Sequence, residues 1–222
     1  MTTEKSLLRR EGLSVAIIVG DLLFALWAYP QLPDRVATHF NAAGQPDGYS
    51  GPAFAAFFFP LLITAIYVLM LAVPRIDPRR ANYERFGPTY DVIRGGTIAF
   101  LAFIHVTTMG LGLGWPINVG SAVMGGVGLL FAMIGNQLPR ILPTYMVGIR
   151  TPWTLESPEV WRRTHRLAGP IWLIGGIAIA ASGIMAPKAG PWVLIGSLVL
   201  MIGVPTAASF LWWTREQREQ HD

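Results

Sequence analysis

The sequence contains no cysteine, so a disulfide framework and thiolate chemistry are both excluded. Charge is scarce too. Only 14% of the 222 residues are Asp, Glu, Lys or Arg, against about a quarter in a soluble domain. A chain so poor in charge has too little polar surface to cover itself in water. Enzyme signatures are missing: there is no GxSxG, HExxH, Walker loop or paired-carboxylate motif. The expectation is a protein that is not an enzyme and holds no metal or other cofactor. Gly110-Leu111-Gly112-Leu113-Gly114 follows an apolar helical run rather than a strand, so it reads as helix-packing glycines and not as a nucleotide loop. The net charge of +4 comes from arginines scattered through the loops. That pattern does not suggest direct nucleic-acid binding; in a membrane protein it sets orientation.

What the chain has in quantity is hydrophobicity: 52% of residues, with mean hydropathy +0.45. Six apolar stretches stand out, at 13–29, 53–73, 95–115, 119–135, 169–185 and 192–213. Each is close to the roughly 20 residues a helix needs to cross a hydrocarbon core of about 30 Å. Asp21 and the sequence Trp27-Ala28-Tyr29-Pro30 argue against a cleaved signal peptide in the first stretch.

The loops orient the spans. On one side fall Lys5, Arg9 and Arg10, then Arg75, Arg79, Arg80, Arg85 and Arg94. Arg140, Arg150, Arg162, Arg163 and Arg166 join them, with Arg215 and Arg218 at the C-terminus. Those are 15 of the 17 basic residues, leaving only Arg35 and Lys188 opposite. The positive-inside rule therefore makes both termini cytoplasmic, and an odd number of spans would scramble the split. Trp27, Tyr29, Trp115, Trp192, Trp212 and Trp213 near the span ends fit an interfacial belt. The expected fold is an all-α integral protein of the cytoplasmic membrane with about six transmembrane helices.

Two connections are long, an outer one at 30–52 and an inner one at 136–168. Each lies beside a Gln-Leu-Pro with an arginine within two residues, Gln31-Leu32-Pro33-Asp34-Arg35 and Gln137-Leu138-Pro139-Arg140. A three-plus-three duplication would place such copies on opposite faces, as inverted repeats do in some transporters.

In the inner loop, Thr151-Pro152 has the form of an N-cap followed by proline at the first helical position. Ser157-Pro158-Glu159 repeats it, with an acidic residue where the helix dipole favours one. The pattern predicts a short amphipathic helix over 158–167, lying along the inner leaflet with Trp161 at the interface and Arg162, Arg163 and Arg166 towards lipid phosphates. Trp161 and His165, four residues apart, share a face. Gly148 lets the chain turn, Pro152 resets it and Trp153 anchors it at headgroup level. Arg150 either binds lipid phosphate or caps a helix C-terminus. The alternative is a docking surface for a cytoplasmic protein, or a gate beneath the bundle.

Asn136-Gln137-Leu138-Pro139, Gly148 to Leu155 (GIRTPWTL) and Val160 to Gly169 (VWRRTHRLAG) together resemble the C-terminal signature of the SdpI family. Within it stand Asn136, Pro139, Gly148, Arg150, Thr151, Pro152, Trp153, Trp161, His165 and Arg166. Leu32 to Arg35, His39-Phe40-Asn41, Gly44 and Pro46-Asp47 are similar to the small module that often precedes that signature. The resemblance divides the chain into an N-terminal module, 1–94, with two spans, the outer loop and a basic inner loop at 74–94, and an SdpI-like module, 95–222, with four spans. It implies a bacterial membrane protein that confers immunity to a secreted, membrane-active antimicrobial peptide. It further implies a toxin sensor that holds a cytoplasmic repressor at the membrane.

Other residues suggest chemistry of their own. His39, Asp47 and Asp34 in the outer loop have the side chains of a zinc site without its spacing. The same glycines, prolines and Asx residues describe a turn-rich loop. A third reading makes Asp34, His39, Phe40, Asn41, Asp47 and Tyr49 a receptor surface for an amphipathic peptide. Asp21 lies about eight residues into the first helix and His105 about ten into the third, so both sit roughly 12–15 Å from the inner face. An ionisable group at that depth is costly, and a hydrogen bond between the two across the bundle is the expected arrangement. Together with the possible inverted repeat, Asp21 motivates an alternative function, a small proton-coupled transporter or efflux protein.

Overall fold

The computed structural model describes residues 2–41 and 44–219, with side chains from Glu11 onward. Seven α-helices follow in chain order: α1 (Thr2–Ala28), α2 (Pro52–Ile76), α3 (Ala81–Gly112), α4 (Val119–Gln137), α5 (Pro152–Glu156), α6 (Pro158–Met185) and α7 (Gly190–Glu219). All but α5 are long and apolar enough to cross a membrane. Large apolar side chains point outward all along them, among them Leu61 at 72%, Ile184 at 74% and Trp192 at 75% exposure. In water such a surface would drive aggregation; against lipid it costs nothing. The molecule is thus a multi-pass cell-membrane protein. The charge split places both termini and the α2–α3 and α4–α6 connections inside, and residues 29–51 outside.

The outer connection adds a small β element to this helical frame. Strands β1 (Val36–Phe40) and β2 (Pro46–Ser50) form an antiparallel hairpin with Val36 opposite Ser50 and His39 opposite Gly48. Val36, 1% exposed, packs into Ala28, Ala55, Ala56 and Met109, which fixes the hairpin base over α1, α2 and α3.

Those three helices pack on one another, α4 packs on α6, α6 on α7, and α3 meets α4 to join the halves. The α4–α6 crossing is the closest. A Cβ at Gly128 would run into the backbone of Ala180 and Gly176, and one at Gly176 into Ala132 and Gly128. Without side chains at the crossing the two backbones touch, and this contact area takes the place of a hydrophobic drive that lipid cannot supply.

Two expected segments are different in the structure. The basic loop at 74–94 is mostly helix: a turn at 77–80 leads into α3, which is kinked at Phe86 and contains residue 94. The arginines between the second and third apolar stretches suggested a loop. However, Tyr83, Phe86, Tyr90 and Ile93 recur at helical spacing and are all buried, and that stripe outweighs one proline. Pro88 leaves its mark as a kink, with Phe86 at φ −117°, ψ 20°. The amphipathic helix over 158–167 is not a separate element either, because it forms the first turns of α6. Pro170 did not end it, and Trp161 is 1% exposed instead of interfacial. The two Gln-Leu-Pro segments also differ in conformation, Leu32 extended (ψ 148°) and Leu138 helical (ψ −46°). The duplication gains no support from them.

Candidate functional site

The inner-loop residues converge on a hydrogen-bonded knot. Trp161 and His165, one turn apart on α6, stack with centroids 4.2 Å apart and planes at 19°. The Trp161 indole N–H donates to the Ile141 carbonyl at 2.8 Å. The Ile149 amide donates to His165 Nε2 at 3.0 Å, so that nitrogen carries no proton; Nδ1 therefore holds it and donates to the Trp161 carbonyl at 2.9 Å. Gly148 lies against the two rings at φ +120°, where a Cβ would come within 2.7 Å of both His165 Nε2 and the Trp161 ring. Glycine is required there twice, by backbone angle and by space.

The rest of the signature tightens the same knot. Thr151 caps α5 in a reciprocal box with Thr154, and Pro152 takes the first helical position. Thr154 Oγ1 also donates to the Ile149 carbonyl at 2.9 Å. Ser157 caps α6 through the Val160 amide at 3.2 Å. Trp153 Nε1 donates to Ser209 Oγ at 2.6 Å and its ring packs edge-on against Phe210, tying α5 to α7. The Arg150 guanidinium donates to the Tyr145 carbonyl, within its own loop. Glu159 holds Arg162 and Arg163 at 2.6–2.8 Å, and Arg166, like them, is exposed. Asn136 and Pro139 are exposed at the end of α4, and Pro139 lies against Gly169 of α6.

One residue at the centre of the knot escaped sequence reasoning. Asp77, 2% exposed, accepts the Tyr145 and Met146 amides at 3.0 and 2.9 Å and the Tyr83 hydroxyl at 3.0 Å on one oxygen. Its other oxygen accepts the Arg79 amide at 2.7 Å. Around it, Arg79 donates to the Leu155 carbonyl and lies over the Tyr145 ring at 4.8 Å, and Asn82 donates to the Pro143 carbonyl. The available signal was Asp77-Pro78 directly after an apolar helix, a turn-forming pair. Its target, 68 residues away, was not legible.

Outside, the hairpin presents its polar groups to solvent. His39 Nδ1 and Asp47 Oδ1 lie 2.5 Å apart across the strands, with side chains 74% and 42% exposed. Among the described residues no third histidine or carboxylate joins them as a metal ligand set. Arg35 lies over the Tyr49 ring at 5.1 Å. Asn41 Oδ1 accepts the Gln45 amide and closes the turn. Asp34 and Asn41 are exposed and Phe40 is half-buried. Asp21 and His105 do meet in the membrane: His105 Nδ1 stands 2.8 Å from Asp21 Oδ1, both groups buried.

These features define a six-span membrane protein with a cytoplasmic-side knot and an exposed outer hairpin. Residues 140–209 match the SdpI/YfhL protein family, and residues 16–64 match a domain of unknown function, DUF1648. The first match runs from the inner loop through α6 into α7, and the second covers the stretch that contains the hairpin. It is 20% identical over 210 residues to "Immunity protein SdpI" of Bacillus subtilis, covering 94% of this chain and 98% of that protein. No solved structure matches.

Proposed function

We propose that this chain is a membrane immunity protein, protecting the cell from a secreted membrane-active peptide without covalent chemistry. The observation that carries the reading is the near end-to-end match to an immunity protein, 94% of one chain against 98% of the other. The outer hairpin is the surface suited to receive the peptide. Asp34, His39, Asn41, Asp47 and Tyr49 are exposed there, beside the stacked and half-exposed Phe54 and Phe58 at the start of α2. A polar, hydrogen-bonding rim over exposed aromatics fits an amphipathic peptide arriving at a membrane surface. The finer role, sensing the toxin and holding a cytoplasmic repressor, would use the inner face, where Tyr145, Met146, Arg150 and Arg166 are exposed.

The test is expression in a sensitive bacterium challenged with a panel of pore-forming peptides. Survival that depends on the chain, lost in His39→Ala with Asp47→Ala at equal membrane levels, supports the reading. No protection against any peptide would overturn it. For the sensing role, a soluble regulator should move to the membrane fraction when toxin is added.

A further inference from the structure

The Asp21–His105 pair plays no part in the immunity reading, yet its construction is specific. His105 is fully buried and Asp21 is 4% exposed. They share one contact, 2.8 Å between Asp21 Oδ1 and His105 Nδ1. The second polar atom of each, Asp21 Oδ2 and His105 Nε2, is buried without a partner. Phe59 stacks on the imidazole at 5.6 Å and 13°, and Phe24 meets it edge-on at 6.3 Å.

Apolar layers close the site on both sides. Towards the cytoplasm, Ile63 and Ile98 are fully buried and Ala102 nearly so. Towards the outside lie Ala28, Ala56, Met109 and, from the hairpin base, Leu32 and Val36. Other charged or titratable groups on the packed elements are remote. Glu11 on α1 and Arg94 and Asp91 on α3 form an ion-paired cluster with Tyr67 of α2. Glu11 lies ten residues and Arg94 eleven from the pair, about 15 Å along the axis. On the hairpin, Arg35, His39 and Asp47 are exposed. The outer end of α1, seven residues beyond Asp21, is nearer, at about 10 Å.

Proton counting gives the site its meaning. With a proton on Nε2 and one shared between Nδ1 and Oδ1, the pair is neutral overall. Removing one leaves a carboxylate beside a neutral imidazole, a net negative charge between two apolar layers, where charge is costly. We propose that Asp21 and His105 form an occluded proton-binding site, and that the plug set by the hairpin base controls its exchange with the outer aqueous phase. On release the proton passes to water and the carboxylate stays with a neutral imidazole; on uptake it returns to the pair. No bond between heavy atoms changes.

The test needs no toxin, so its outcome is independent of the immunity reading. The purified full chain is reconstituted in liposomes, and the carboxyl stretch is followed by infrared difference spectroscopy across pH in light and heavy water. The expected result is a titrating carboxyl signal in the wild type that is absent in Asp21→Asn and altered in position or midpoint in His105→Gln. In Val36→Ala the same signal should exchange with deuterium several-fold faster. Wild-type and Asp21→Asn spectra that superimpose at every pH would overturn the proton site. An Asp21 signal unchanged in His105→Gln would overturn the pairing, and unchanged exchange in Val36→Ala the hairpin's control. Should Asp21→Asn fail to fold, the other two variants keep Asp21 and carry the test.

Discussion

The two faces of the molecule use similar side chains in opposite ways. Inside, His165 is 1% exposed, stacked on a buried tryptophan, and both ring nitrogens are committed to backbone partners. Outside, the His39 side chain is 74% exposed and meets Asp47 through one ring nitrogen. Asp77 has four hydrogen bonds and is buried, whereas the Asp47 side chain is 42% exposed and meets His39 through one oxygen. A group whose bonding capacity is filled has nothing left to offer a ligand, and one with spare capacity at the surface does. The most distinctive sequence block therefore marks the part that holds α2, α3, α6 and α7 together. The less distinctive outer module leaves its polar side chains exposed.

Variants break or sharpen this contrast in a graded order. Trp161→Ala empties the centre of the knot and releases the Ile141 carbonyl; a loss of about 3–5 kcal/mol is expected for a buried tryptophan, seen as failed accumulation in the membrane. Asp77→Ala strands the Tyr145, Met146 and Arg79 amides. At about 1–3 kcal/mol for each buried donor left unpaired, the expected loss is several kcal/mol, read as a lower unfolding midpoint in detergent. Gly148→Ala combines a left-handed backbone with a collision against His165 and Trp161, for about 1–3 kcal/mol. His39→Ala and Asp47→Ala, at the exposed end of the scale, should change stability by no more than about 0.5 kcal/mol while reducing peptide protection.

Much of this was visible in the amino acids, and the misses share a cause. The six spans, the caps at Thr151 and Ser157 and the glycine requirement at 148 follow from length, local hydrogen bonding and backbone angle, all short-range properties. The Asp21–His105 contact was legible because equal depth in a membrane is itself a spatial constraint. The surface role given to Trp161 failed because amphipathic spacing cannot say whether an aromatic faces lipid or the connection from another helix. Asp77 was missed because its ligands come from residues 145 and 146, far along the chain. The hairpin went unread because β1 and β2 are five residues each and separated by a polar turn.

The central claim is that the inner knot serves folding and the outer hairpin serves recognition. The most direct measurement is survival against the cognate peptide, with membrane level and unfolding midpoint recorded together, for the double variant His39→Ala, Asp47→Ala and for Gly148→Ala. The account predicts that the outer variant keeps wild-type level and midpoint but loses protection, while the inner variant loses midpoint and level and protects in proportion to what remains. Full protection by the outer variant, or an inner variant that is stable, abundant and inactive, would contradict it.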